Sequence, residues 1–299
     1  SAAQAEDAAS CPPHRPLNTL RQFRYSPPMA LPELMTVDIG GTPIAIRDSA
    51  TDNNNGKPAL VLLHGLGGAS QNWAFQFRAL AEDFRVIAWD MPGYGASGGF
   101  VRENPTVEHY AHTLSATLDA IGAFKAHIAG QSVAALIGAS YAAEYPDQTL
   151  SYTFCQGLTG LAGLPDDERS KQRKARLETI RELGPERFAE ERGRKVLGPD
   201  VLPMVAELAV TIMKRAPLDG MCQAIEMMAQ TDFFEIAPRI DCPSLVIAGS
   251  ADPASSVESG QAARDALGDG PMEVLDGAGH YGCMENPAAF NAALKGFIG

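Results

Sequence analysis

Three side chains in this sequence have the types and the order that acyl-transfer chemistry needs: a serine, then an acid, then a histidine. Ser132 lies in "GQSVA", flanked two positions away by Gly130 and Ala134. A serine hydroxyl adds to a carbonyl only when a base removes its proton and fixed donors receive the oxyanion. A sharp turn directly after a buried strand lifts such a hydroxyl clear of the backbone, and that turn tolerates only small residues two positions either side. Alone, the pattern also suits a helix N-cap, a position serine favours. Downstream come Asp252 in "LVIAGSADP" and His280 in "LDGAGHYG", each just past a predicted strand. Singly, Asp252 before Pro253 reads as a turn residue and His280 as a surface imidazole. Jointly they supply an orienting acid and a general base.

A fourth segment, "HGLGG" from His64 to Gly68, also ends an apolar run. Its exposed amides could complete an oxyanion hole with the amide of Val133, Leu66 being the first candidate donor and Gly67 the second. His64 is expected to brace this loop, although spacing alone leaves a base role open. Gly67, Trp73 and Gln131 are candidates for contact with substrate. For Trp73 and Tyr94, packing in the core is an equally good reading.

These residues need a frame that brings them to one edge. "LMTVDIGGTPIAIRD" alternates apolar and polar residues around Gly40-Gly41, a hairpin signal. "ALVLLHG" is a continuous apolar run, as a strand buried on both faces requires. Helical and extended patterns then alternate: "SQNWAFQFRALAED", "FRVIAWD", "TVEHYAHTLSATLDAIG", "KAHIAG", "SVAALIGASYAAEYP" and "LSYTFCQG". Such alternation predicts a parallel sheet with helical crossovers. From about Leu158 to Ile236 no strand pattern appears, and the segment reads as a helical insertion. The sheet resumes with "PSLVIAGSAD" and "PMEVLDGAGH", and "NPAAFNAALKGFIG" closes the chain as a helix.

The pieces "HGLGG", "DMPGYGAS", "GQSVA", "LVIAGSADP" and "GAGHYGCMENP" together resemble the α/β-hydrolase fold superfamily. That resemblance implies a mostly parallel eight-stranded sheet with flanking helices, an inserted helical cap and a Ser132–His280–Asp252 triad. The implied organisation is an N-terminal extension over 1–30, a core over 31–158 and 237–299, and a cap over 159–236. Ala134 departs from the common pattern, which has glycine there. Some members carry the acid after the sixth strand, but "CQGL" holds no carboxylate, which favours Asp252. The wording "CPSLVIAGSADPASS" and "FNAAL" is similar to 3-oxoadipate enol-lactonases.

Composition narrows the function classes. With 299 residues, 45% hydrophobic, the chain can bury a large core. A net charge of −12 works against nucleic acid and anionic membranes, and no apolar run approaches the ~20 residues of a membrane span. The five cysteines show no metal-ligand spacing, and the chemistry above needs neither metal nor cofactor. Residues 159–238 hold 12 Lys plus Arg and 14 Asp plus Glu, a balance of −2 against −10 for the rest, so an arginine there could hold a substrate carboxylate. The expected function is hydrolysis of a small carboxylic ester or (enol-)lactone through an acyl-enzyme. A carbon–carbon bond hydrolase and a slow-turnover ligand receptor are the alternatives. A small-molecule substrate is the expected partner, with homo-oligomerisation left open. The location expected is cytoplasmic; the opening "SAAQAEDAAS" leaves a periplasmic or secreted protein as the alternative.

Overall fold

The computed structural model describes residues 31–50 and 56–299. The expected extension over 1–30, with Cys11, lies outside the described residues. Eight strands form one sheet: β1 (Leu34–Ile39), β2 (Thr42–Asp48), β3 (Ala59–Leu63), β4 (Arg85–Trp89), β5 (Ala126–Gln131), β6 (Thr149–Cys155), β7 (Ser244–Gly249) and β8 (Met272–Leu275). Their spatial order is β1-β2-β4-β3-β5-β6-β7-β8. β1 and β2 pair antiparallel through the Gly40-Gly41 turn, and β2 runs antiparallel to β4. Both turn glycines have positive φ, 59° and 90°, as a two-residue hairpin that follows the strand twist requires. Every other neighbouring pair is parallel.

The helices α1 (Ala74–Leu80), α2 (Val107–Ala120) and α3 (Ala134–Glu144) provide the first crossovers. Alternate residues of one strand serve opposite faces of the sheet. Val61 and Leu63 join the cluster containing Tyr110, Leu114 and Ile137, whereas Leu60 and Leu62 join that of Phe77, Leu80 and Phe290. Every residue of β3 is therefore buried, which is why the strand reads as an unbroken apolar run.

Between β6 and β7 the described chain is helical: α4 (Asp166–Glu191), α5 (Pro203–Met213), α6 (Leu218–Ala229) and the short α7 (Phe233–Ile236). Gly184, at φ 67° and followed by Pro185, breaks α4 into two pieces. The ends of the insertion are stitched together, because Leu161 N–H donates to Met228 O and Phe233 N–H to Thr159 O. α6 buries Met221, Ile225 and Met227 in one face's cluster, and α5 buries Val210, Ile212 and Met213 in the other's. The insertion thus spans the C-terminal edge of the sheet, where the β5 and β7 loops emerge.

Three further helices follow: α8 (Val257–Ala266), α9 (Gly282–Glu285) and α10 (Pro287–Ile298). α8 has no counterpart in the sequence pattern because it buries only Gly260 and Ala263, too little for a periodic apolar stripe. Among the described residues no helix is long and apolar enough to cross a membrane. The described cysteines, Cys155, Cys222, Cys242 and Cys283, are free thiols.

Candidate active site

β5 ends at Gln131 and α3 begins at Ala134, so Ser132 occupies the turn between them at φ 58°. A non-glycine residue in that region costs on the order of 1–3 kcal/mol and persists only where its surroundings over-determine it. Here Ser132 N–H donates to Cys155 O, and Ser132 O accepts from Ala135 and Leu158 N–H, each at 3.1 Å. A Cβ on Gly130 would stand 2.8 Å from Ala135 Cα, so the turn closes only over glycine at that position. Ala134 is fully buried within the turn, whose methyl it accommodates.

The three chemistry-bearing side chains meet. His280 Nε2 lies 2.8 Å from Ser132 Oγ, and His280 Nδ1 lies 2.8 Å from Asp252 Oδ2. The other carboxylate oxygen, Oδ1, accepts from the N–H groups of Ala254 at 2.8 Å and Ser255 at 3.1 Å. An ionised carboxylate only accepts, so the imidazole proton belongs on Nδ1 and the Nε2 lone pair faces the hydroxyl. Asp252 has no exposed side-chain surface and His280 keeps 9% of its own.

Gln131 is not a substrate contact. It is buried, its Oε1 accepts from Gly65 N–H at 3.0 Å, and its Nε2 donates to His280 O at 2.8 Å. Both ends of the amide are spent tying the "HGLGG" loop to the histidine loop. Two braces escaped the sequence reading. Gln156, at φ 44°, donates to Gly279 O at 2.6 Å. Glu285 collects three backbone donors: Tyr281 N–H on Oε1, and Gly198 and Gly279 N–H on Oε2. With His280 N–H donating to Val196 O at 2.7 Å, the histidine loop is fastened to the insertion. A carboxylate five residues after a candidate base was the available signal, but nothing local said which amides it would meet.

The loop after β3 approaches from the other side: a Cβ on Gly65 would lie 3.2 Å from Ser132 Oγ. Among the described residues, neither Leu66 N–H nor Val133 N–H donates to a protein acceptor. Tyr94 donates its hydroxyl to Leu66 O at 2.8 Å, which fixes that peptide's orientation. Burial pushes the Tyr94 phenol well above its ordinary pKa, so it stays a donor. Gly67 is buried under Met213 of α5; a Cβ there would sit 2.6 Å from Met213 Cγ. Trp73 belongs to the core, fully buried with its ring centroid 6.0 Å from that of Phe290, and is no wall for a substrate. The expected substrate contacts at Gln131 and Trp73 are thereby corrected.

His64 Nε2 accepts from Met91 N–H at 2.9 Å while Nδ1 donates to Gly65 O at 2.9 Å. With both nitrogens engaged it has no lone pair for substrate and acts as the brace. Burial holds its pKa below 6.5, outweighing the pull of Asp90. A depressed folded-state pKa means that below pH 6.5 the unfolded chain takes up a proton the folded chain refuses. Stability is therefore complete above that pH and falls as pH drops, by up to about 1.4 kcal/mol per unit for this one site. Urea unfolding between pH 7.5 and 5.5 should show a shallower loss in His64→Gln than in the wild type. Equal slopes would rule out the buried neutral imidazole.

An elbow serine facing a histidine and an acid across the C-terminal edge of a mostly parallel sheet defines a class, the α/β hydrolases. The model of the alpha/beta hydrolase family matches residues 60–293, and the chain belongs to that family. A 3-oxoadipate enol-lactonase of Acinetobacter baylyi is 25% identical over 269 residues, covering 89% of this chain and 96% of its own. A Pseudomonas syringae protein provisionally named a carbamate hydrolase is 25% identical over 246 residues, 81% of this chain and 93% of its own. Among solved structures, the enol-lactonase from Burkholderia xenovorans superposes with a TM-score of 0.80 at 24% identity, covering 88% of this chain and 99% of that one.

Proposed function

We propose that this protein is a serine hydrolase that cleaves a small carboxylic ester or lactone through an acyl-enzyme. The reading rests above all on the 2.8 Å separation of His280 Nε2 and Ser132 Oγ. As Ser132 Oγ bonds to the carbonyl carbon, its proton passes to His280 Nε2, and Asp252 stabilises the imidazolium and holds its orientation. The carbonyl oxygen, now an anion, lies against the amides of Leu66 and Val133. Collapse breaks the ester bond, and the leaving oxygen takes the proton from His280. In a lactone that oxygen stays tethered to the acyl chain. Water, deprotonated by His280, then attacks the acyl carbon; collapse breaks the acyl–Oγ bond, His280 returns the proton to Ser132 Oγ, and the free acid departs.

The helical insertion serves as a cap over this site. The cleft that reaches Leu66 has a volume of about 280 Å³, a size suited to a small acyl group. The relatives named enol-lactonases act on an internal ester, which supports the same class of bond here. Aryl esters, lactones and vinylogous diketones assayed side by side test the reading. Repeated turnover of an ester or lactone is expected. A single labelling event without turnover would replace the enzyme by a receptor, and cleavage of the diketone alone would move the chemistry to carbon–carbon bonds.

A further inference from the structure

Six of the insertion's twelve cations are paired with carboxylates, Arg194 with Glu207 among them. Arg169 pairs with Asp166, Lys174 with Glu178, Arg187 with Glu191, and Lys214 with Glu190. Arg173 forks onto Glu226 of α6 at 2.5 and 2.6 Å, joining α4 to α6. One turn later, Arg176 makes no hydrogen bond or ion pair with any described residue.

Arg176 instead lines two clefts, each of which reaches a residue next to the candidate triad. The first contains Leu66, Thr179, Ile180, Arg192 and Ile225. Thr179 and Ile180 lie three and four residues after Arg176, on the same face of α4. The second, of about 140 Å³, contains Leu158 and Ser255. Leu158 N–H bonds Ser132 O, and Ser255 N–H bonds the Asp252 carboxylate. The residue stays open to solvent, so a ligand can reach it. Burial alone lowers the pKa of its guanidinium, with no acidic neighbour acting against it. A guanidinium partly stripped of water and left without a counter-charge is poised for an anion, and its fork matches a carboxylate.

On the hydrolase reading above, we propose that Arg176 binds a carboxylate carried by the substrate, with Arg192 at the same cleft. The enzyme's substrates are then esters or lactones bearing a second, anionic carboxylate. This offsets the repulsion that a chain of net charge −12 imposes on an anion.

Three probes test it: mono-4-nitrophenyl glutarate, anionic on the acyl side; 4-acetoxybenzoate, anionic on the leaving side; and neutral 4-nitrophenyl pentanoate. Wild-type kcat/KM for one anionic probe should exceed that for its neutral counterpart by about tenfold, and the favoured probe shows which side carries the charge. Phenyl acetate is the counterpart for the leaving side. Arg176→Gln should bring that ratio close to one, Arg176→Lys should keep part of it, and Arg187→Gln should leave it intact. A wild type without preference, or an Arg176→Gln ratio equal to the wild-type one, overturns the assignment. Glutarate binding to Ser132→Ala protein, measured by calorimetry, separates this from the hydrolase reading. Loss of that binding with Arg176→Gln added supports the anion site even without turnover, and its persistence rejects the site even where Ser132-dependent hydrolysis is found.

Discussion

Ser132→Ala is expected to lower ester turnover by about 10⁴-fold or more. The substitution removes one oxygen whose protein partner is His280 Nε2, so the stability change should stay within about 1 kcal/mol. The φ of 58° that Ser132 adopts is set by the backbone bonds around it, and alanine at that position keeps the same Cβ. Rate and fold are thus separable. Steady-state kinetics on an aryl ester, with thermal melting as the control, checks the expectation. Intact-mass measurement should show an acyl adduct on the wild type and none on the variant. Retention of more than a few per cent of the rate would shift the chemistry to proton abstraction by His280 alone, with no covalent intermediate.

Asp252→Asn should have a comparable effect, about 10⁴-fold on kcat, the scale known for serine-protease triads, with KM little altered. The argument depends on which way the new amide faces. Oδ1 already accepts two backbone N–H groups, from Ala254 and Ser255. An asparagine must keep its oxygen there and turn its NH₂ towards His280. A donor facing Nδ1 drives the imidazole proton onto Nε2, and no lone pair is then left to receive the serine proton. The fold should survive because the loop bonds survive. A kcat within tenfold of the wild type would remove Asp252 from the role.

The frame was legible because its determinants are local. Continuous apolar runs announced β3 and β7, and small residues around Ser132 announced a turn that sterics confine to glycine at position 130. The order of Ser132, Asp252 and His280 could be read along the chain. What holds them could not. Gln131 reaches across 149 positions to His280, and Gln156 across 123 to Gly279, and such pairings are set by strand order rather than by any nearby pattern. Glu285 carries no local signal of its role because its three amide donors come from two separate loops. Trp73 shows the converse limit. An aromatic near a catalytic loop suits a pocket and a core equally well by sequence, and only the arrival of Phe290 from α10 makes it core.

The join at Val196 and Gly198 bears on how this architecture diversifies. Two of the hydrogen bonds that steady the base's loop come from the insertion and not from the sheet. Exchanging the whole insertion with that of a relative would also replace the acceptor of the base's own N–H and one of the three donors to Glu285. The backbone of the insertion and the position of the base are therefore linked from that segment onward. Sequence up to the Gly184-Pro185 break, which includes Arg176, can vary without disturbing either bond.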